Sequence, residues 1–244
     1  MARQGMDRFT ATTVFVGAGD QASLSPRSRD ATLGSTVDMR VLELLTARLC
    51  HELSAPIAAI SNGIELLAEE DSDPGPTPGT SFVRDAAALI GDSARRAGGR
   101  LQFYRFAYGF GGGGALAGPT PHELAVSFFA KSRIACDYSD NVQILPPDWQ
   151  KLACNLLPVG GETLPRGGRL VLTDDPLNLE AVGEAADLSP ELRSALMLTT
   201  PIAELTSRTV QAFFTGLLAK ALGCRLIGTA EPGRVRLTAI ASGA

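Results

Sequence analysis

The chain has 244 residues, 45% of them hydrophobic and 20% charged, with a formal net charge of −4. That length suits two small domains or one large one, and the composition is that of a globular protein. The mildly acidic balance gives no reason to expect a nucleic-acid partner, whose phosphates require a basic face. Cys50, Cys136, Cys154 and Cys224 are far apart and form no C-x-x-C pair, so neither a zinc site nor a disulfide framework is expected. No apolar run reaches the length of a membrane span and no signal peptide opens the chain. A cytoplasmic location with no membrane partner is therefore expected.

Residues 1–35 show no sustained period and are expected to be disordered. Ser35 or Thr36 then offers an N-cap, with Asp38 favourable in the first turn, and a helix is predicted to about Glu70. Leu42, Leu45, Leu49, Leu53, Pro56, Ile57, Ile60, Ile64 and Leu67 recur by threes and fours along one face of it. His51 falls on the opposite side, flanked by Ala47, Ser54, Ala55, Ala58 and Asn62, nearly all small. Such a histidine stands clear of its neighbours. Residues 71–80, DSDPGPTPGT, predict a turn.

A second helix is predicted over 81–110, with an apolar line of Phe82, Ala86, Leu89, Ile90, Ala97, Leu101, Tyr104 and Tyr108. Two long helices joined by a short loop make an antiparallel hairpin. One hairpin cannot hide stripes of this length, so two copies pairing as a four-helix bundle are expected; packing on its own C-terminal domain is the alternative. The Gly-rich stretch before Pro119 reads as a linker and not a phosphate loop, since it lacks G-x-x-x-x-G-K-[ST] and follows no strand.

Beyond it the period alternates. Helices are predicted from Thr120-Pro121, over 148–157, 190–197 and 207–222. Strands are predicted over 133–138, 169–173, 179–185, 225–230 and 235–240, the last two joined at Glu231-Pro232-Gly233. The fold class is α + α/β: a helical hairpin (36–110), a linker (111–119) and an α/β sandwich with a mixed sheet and helices on one face (120–244).

His51-Glu52-Leu53-Ser54-Ala55-Pro56 resembles the H-box of sensor histidine kinases, H-[ED]-[LIF]-x-x-P. In that family the histidine carries a phosphoryl group, and the proline bends the helix because it brings no N–H. The C-terminal region resembles the same kinases' ATP-binding domain, with Asn155-Leu156-Leu157 matching the start of the N-box. The departures fall on the nucleotide. Val159 stands where the family has its magnesium-binding asparagine, and Glu162 where it has a lysine. Glu184-Ala185-Ala186-Asp187-Leu188 replaces the D-x-G-x-G box, and the glycine-rich lid is missing between Met197 and Val210. An ATP site needs magnesium ligands and close backbone approach to phosphates. A phosphoacceptor helix beside a nucleotide-blind domain resembles the ChpT-type histidine phosphotransferases of bacterial phosphorelays.

That resemblance implies a phosphoryl group taken on His51 from the receiver-domain aspartate of a hybrid histidine kinase and passed to a response-regulator aspartate. No cofactor of the chain's own is implied, since the receiver brings its Mg²⁺. Near neutral pH an exposed imidazole is largely unprotonated and offers a lone pair to phosphorus. Glu52 is a candidate to orient it or take its proton, although a solvated helix residue is an open alternative. Ala47, Arg48, Ser54, Ala55 and Ala58 are the candidate receiver-docking surface, with Pro56 structural. Kinases with phosphatase activity commonly carry Thr, Asn or Gln where this chain has Ala55, so transfer without efficient hydrolysis is expected. His122 has no metal-ligating neighbours in sequence and reads as a surface residue. A divergent sensor kinase and a non-enzymatic scaffold that binds receivers are the other readings.

Overall fold

The computed structural model describes residues 37–72, 80–109, 118–174 and 176–241. The expectations for 1–35 and for most of the linker lie outside the described residues. Val37 onward forms one compact unit. It begins with two long helices, α1 (Met39–Ser72) and α2 (Thr80–Tyr108). The start of α1 is held by Asp38, whose carboxylate accepts from Arg40 N at 2.8 Å. That is an N-cap's work, two or three residues later than the sequence suggested. The helix also runs two residues into the expected turn.

The single apolar face of α1 resolves into two. Val41, Leu45, Pro56 and Gly63 are buried within the chain, mostly against α2. Gly63 is where the helices come closest: a Cβ there would sit 2.6 Å from Ile90 Cγ1. Leu42, Ile57 and Ile64, about 100° to one side by helical geometry, remain roughly half exposed at 54%, 53% and 54%. The same holds for Phe82, Leu89 and Leu101 of α2, three of its expected core residues, whereas Ala86 and Tyr104 of the expected line are buried, together with Phe103 and Ala107. A 3.6 period marks an apolar residue without saying which neighbour covers it.

After the linker, α3 (Pro121–Phe129) opens with a capping box. Thr120 Oγ1 accepts from Glu123 N at 3.2 Å while Thr120 N donates to the Glu123 carboxylate at 2.7 Å. Next come β1 (Ile134–Tyr138), a short α4 (Asp140–Gln143) that no sequence signal had suggested, and α5 (Pro147–Glu162). The predicted stop at Leu157 was wrong. The helix carries on through Pro158 because Leu152 to Gly160 is buried without a break, and tertiary burial outweighs the local penalty. Strands β2 (Gly168–Asp174) and β3 (Leu177–Val182) lead to α6 (Pro190–Leu196), a 3-10 turn (Ile202–Glu204) and α7 (Val210–Ala221). The hairpin of β4 (Cys224–Glu231) and β5 (Arg234–Ala241) ends the unit, turning at Gly233 with φ +75°.

The five-stranded sheet has the order β1-β2-β3-β5-β4, parallel between β1 and β2 and antiparallel elsewhere. The parallel pair needs a crossover, which α4 and α5 supply. Alternation does the rest: Leu170, Leu172, Leu179, Ala181, Val235, Leu237 and Ala239 all face the helices and are buried. On the opposite face Glu180 pairs with Arg234 at 3.0 Å and Arg236 at 3.2 Å. Gly160 brings α5 down onto this sheet, since a Cβ would lie 2.4 Å from Leu179 Cδ2.

The hairpin is fastened to the sandwich by aromatic and polar contacts. Phe103 stacks on Phe128 of α3 at 4.2 Å, and Tyr108 meets Phe214 of α7 edge-on at 5.5 Å. Asn155, fully buried, donates to Ala107 O at 2.8 Å, and its amide oxygen accepts from Gln211 Nε2 at 3.0 Å. Tyr108 Oη in turn donates to Gln211 Oε1. Burial pushes the Tyr104 hydroxyl up to about 12 and raises that of Tyr108 as well, so both stay neutral in this seam.

Candidate functional site

Pro56 shapes the site. A residue in mid-helix normally donates its N–H to the carbonyl four residues back; proline has none, so the carbonyl of Glu52 is left over. Arg100 of α2 takes it: Nη1 donates to Glu52 O at 3.1 Å and also to the Glu52 carboxylate. The guanidinium lies 5.8 Å from the Phe128 ring centroid as well. Glu52 is therefore held by α2, with 23% of its side chain exposed, and is not free beside the imidazole. Two residues before Pro56, Ser54 Oγ donates to Cys50 O at 2.7 Å, a back-bond that often accompanies a bend.

His51 is exposed, as are Ala47, Ser54, Ala55, Ala58 and Asn62. The small stripe leaves the ring accessible along the helix. On its other side His51 borders an open cleft of about 1050 Å³ between α1 and the segments around α6 and the start of α7. Arg48, one turn before His51, spans that cleft's base. Its Nη2 lies 2.6 Å from Glu162 Oε1 at the end of α5, and Nη1 donates to Ser207 O at 3.3 Å. Burial opposes the Arg48 cation, but Glu162 and its neighbours hold its pKa above the ordinary value. Burial also leaves the Glu162 carboxyl above its usual range, with Arg48 pulling the other way. At 2.6 Å the two side chains form a charged pair at neutral pH.

Carboxylates outnumber cations in the lining of the cleft. Glu52, Glu162, Asp187, Glu191 and Glu204 line it against Arg48 and Arg208. Val159 is fully buried and offers no oxygen. Leu188, also buried, packs so closely on β4 that a Cβ at Gly228 would meet it at 2.5 Å. The connection from Met197 to α7 carries no glycine. Thr206 and Thr209 close it on themselves, each backbone N donating to the other's hydroxyl at 3.0 and 3.3 Å. Among the described residues no group of three or more His, Cys, Asp or Glu could hold a metal ion. His122, expected at the surface, is instead half-buried, its ring 5.6 Å from that of Tyr138. The four cysteines are free, Cys50 exposed and Cys154 and Cys224 buried.

Sequence reasoning brought His51, Glu52, Arg48 and the small stripe together, and the structure places them on one stretch of α1. It missed Arg100. Helix α2 carries arginines at 84, 95, 96, 100 and 105, and only the pairing of the hairpin shows which one reaches the orphaned carbonyl.

Residues 119–232 match the family model described as the histidine phosphotransferase C-terminal domain. The chain is 31% identical over 191 residues to the protein phosphotransferase ChpT of Brucella abortus (strain 2308), covering 75% of this chain and 87% of that one. It is also similar to the solved structure of a bacterial phosphotransferase. That likeness has a TM-score of 0.65 and 27% identity, over 84% of this chain and 98% of the other.

Proposed function

Given that the chain belongs to the ChpT-type protein phosphotransferases, we propose that His51 is the residue that carries the phosphoryl group. The donor is a receiver-domain aspartyl phosphate of a hybrid histidine kinase and the acceptor a response-regulator aspartate. The observation that carries this is the exposure of His51 on a rigid helix, flanked by side chains too small to block a docking receiver.

In the forward step the imidazole lone pair forms a P–N bond as the acyl P–O bond breaks, and the donor aspartate leaves as carboxylate. The proton on the other ring nitrogen passes to solvent or a receiver group. In the return step the other ring nitrogen regains its proton, an aspartate carboxylate attacks phosphorus, and neutral imidazole leaves as the P–N bond breaks. The incoming receiver brings the Mg²⁺ that spreads charge in the transition state, so this chain supplies position. Ala47, Ser54, Ala55 and Ala58 form the landing strip. Arg48, tied to Glu162 and Ser207, joins the sandwich to that strip and is a docking residue at its edge. With Ala55 in place of an amide or hydroxyl no group holds a hydrolytic water, so phosphate is passed on and not released.

ATP has no part in this reading. With Glu162 paired to Arg48 and Glu52 to Arg100, Asp187, Glu191 and Glu204 still face the single cation of Arg208 and give a triphosphate a repulsive wall. Two copies pair through the exposed stripes of α1 and α2 as a four-helix bundle, and the reaction takes place in the cytoplasm; among the described residues no helix is long and apolar enough to cross a membrane. A ³¹P spectrum of the protein after exposure to a phosphorylated receiver tests the proposal: a phosphoramidate resonance is expected with wild type and none with His51→Ala.

A further inference from the structure

From the Glu52–Arg100 geometry we infer that Arg100 is the positioning residue of the transfer site. It occupies the carbonyl that Pro56 orphans and neutralises the carboxylate next to His51. Two independent features converge on it. Helical hydrogen bonding leaves the Glu52 carbonyl without its partner, and Arg100 Nη1 donates to it at 3.1 Å. The same nitrogen also binds the Glu52 carboxylate, so one guanidinium answers both the backbone and the side chain of the residue after the histidine. Phe128 at 5.8 Å backs the guanidinium from the sandwich side.

The consequence is electrostatic. Phosphoryl transfer brings a group of roughly two negative charges onto His51, adjacent in the chain to a carboxylate. Left alone, Glu52 repels the incoming acyl phosphate and the phosphohistidine product. Paired with Arg100, it repels neither. Glu52 thus reads as an anchor for α2 and not as a proton acceptor, because its carboxylate is engaged by Arg100. The spacing of the motif acquires a physical reason: a proline five residues after the histidine frees the carbonyl one residue after it.

This rests on His51 being the phosphoacceptor, and the experiment separates the two claims. The initial rate of label transfer from a phosphorylated receiver is measured for wild type, Arg100→Gln, Arg100→Lys, Glu52→Gln and the double variant Arg100→Gln/Glu52→Gln. Glutamine keeps a donor for the carbonyl and removes the charge; lysine keeps the charge. Arg100→Gln is expected to slow transfer on the order of tenfold, the scale of one uncompensated charge near a dianion at a partly solvated site. Arg100→Lys should stay within about threefold of wild type, and Arg100→Gln should change the rate less than about twofold when Glu52 is already Gln. Equal losses from Arg100→Gln in both backgrounds, an unchanged rate in the first, or a lysine variant as slow as the glutamine variant would overturn the inference. Failure of wild type itself to take label would overturn the phosphoacceptor reading instead.

Discussion

The Arg48 guanidinium and the Glu162 carboxylate meet at 2.6 Å across the seam between hairpin and sandwich. The contact fastens the arginine one turn before His51 to the end of α5. Glu162→Ala should lower unfolding free energy by about 2 kcal/mol, the scale of a lost charge-assisted hydrogen bond, and should raise hydrogen exchange at the start of α7, where Ser207 O also holds Arg48. Denaturant titration and exchange mass spectrometry read both.

Asn155 is the second fastening. Its side chain is fully buried and satisfied from α2, α5 and α7 at once. Asn155→Ala removes the partner of Gln211 and of Ala107 O, leaving buried polar groups unpaired, at about 2–4 kcal/mol. Asn155→Leu should be no better, since the polar partners remain. Amides 104–109 should lose protection before those of the sheet.

Asp92 ties α2 to Lys131, in the turn after α3, where Lys131 takes a φ of +62°. The hydrogen bond from Lys131, then that from Arg95, lowers the Asp92 pKa below its ordinary 3.8. A carboxyl lowered in the folded state contributes stability that is present above 3.8 and lost as pH falls through the folded value. The melting-temperature gap between wild type and Asp92→Asn should therefore be full at neutral pH and narrow only below 3.8.

Much of this was legible in sequence and some was not, for identifiable reasons. The helical period found both hairpin helices and placed His51 outward, because neither depends on distant residues. The cap at Thr120 and the turn at Gly233 are local chemistry and were found. The end of α5 was missed because Pro158 is a strong local signal and the burial that overrides it is not local. The two apolar faces of α1 were merged because Leu45 and Ile57 look alike until α2 is laid beside them. Arg100 was invisible for the same reason: its partner is 48 residues away.

The exposed stripe of Leu42, Ile57 and Ile64, with Leu89 and Leu101 of α2, is the surface through which the proposed dimer would pair. Light scattering should give twice the chain mass for wild type. Ile57→Glu/Ile64→Glu should give the single-chain mass with unchanged helical circular dichroism, as neither side chain belongs to the chain's own core. A dimer that survives both charges would place the interface elsewhere.

The most direct measurement is a label-transfer time course without ATP. A receiver carrying radiolabelled aspartyl phosphate is mixed with wild type or His51→Ala, and a second receiver is added once the first exchange has levelled. The account predicts acid-labile, alkali-stable label on wild type, its onward passage to the second receiver, and neither with His51→Ala. Label on the His51→Ala protein, or label reaching the second receiver through it, would contradict the assignment of His51 as the phosphoryl carrier.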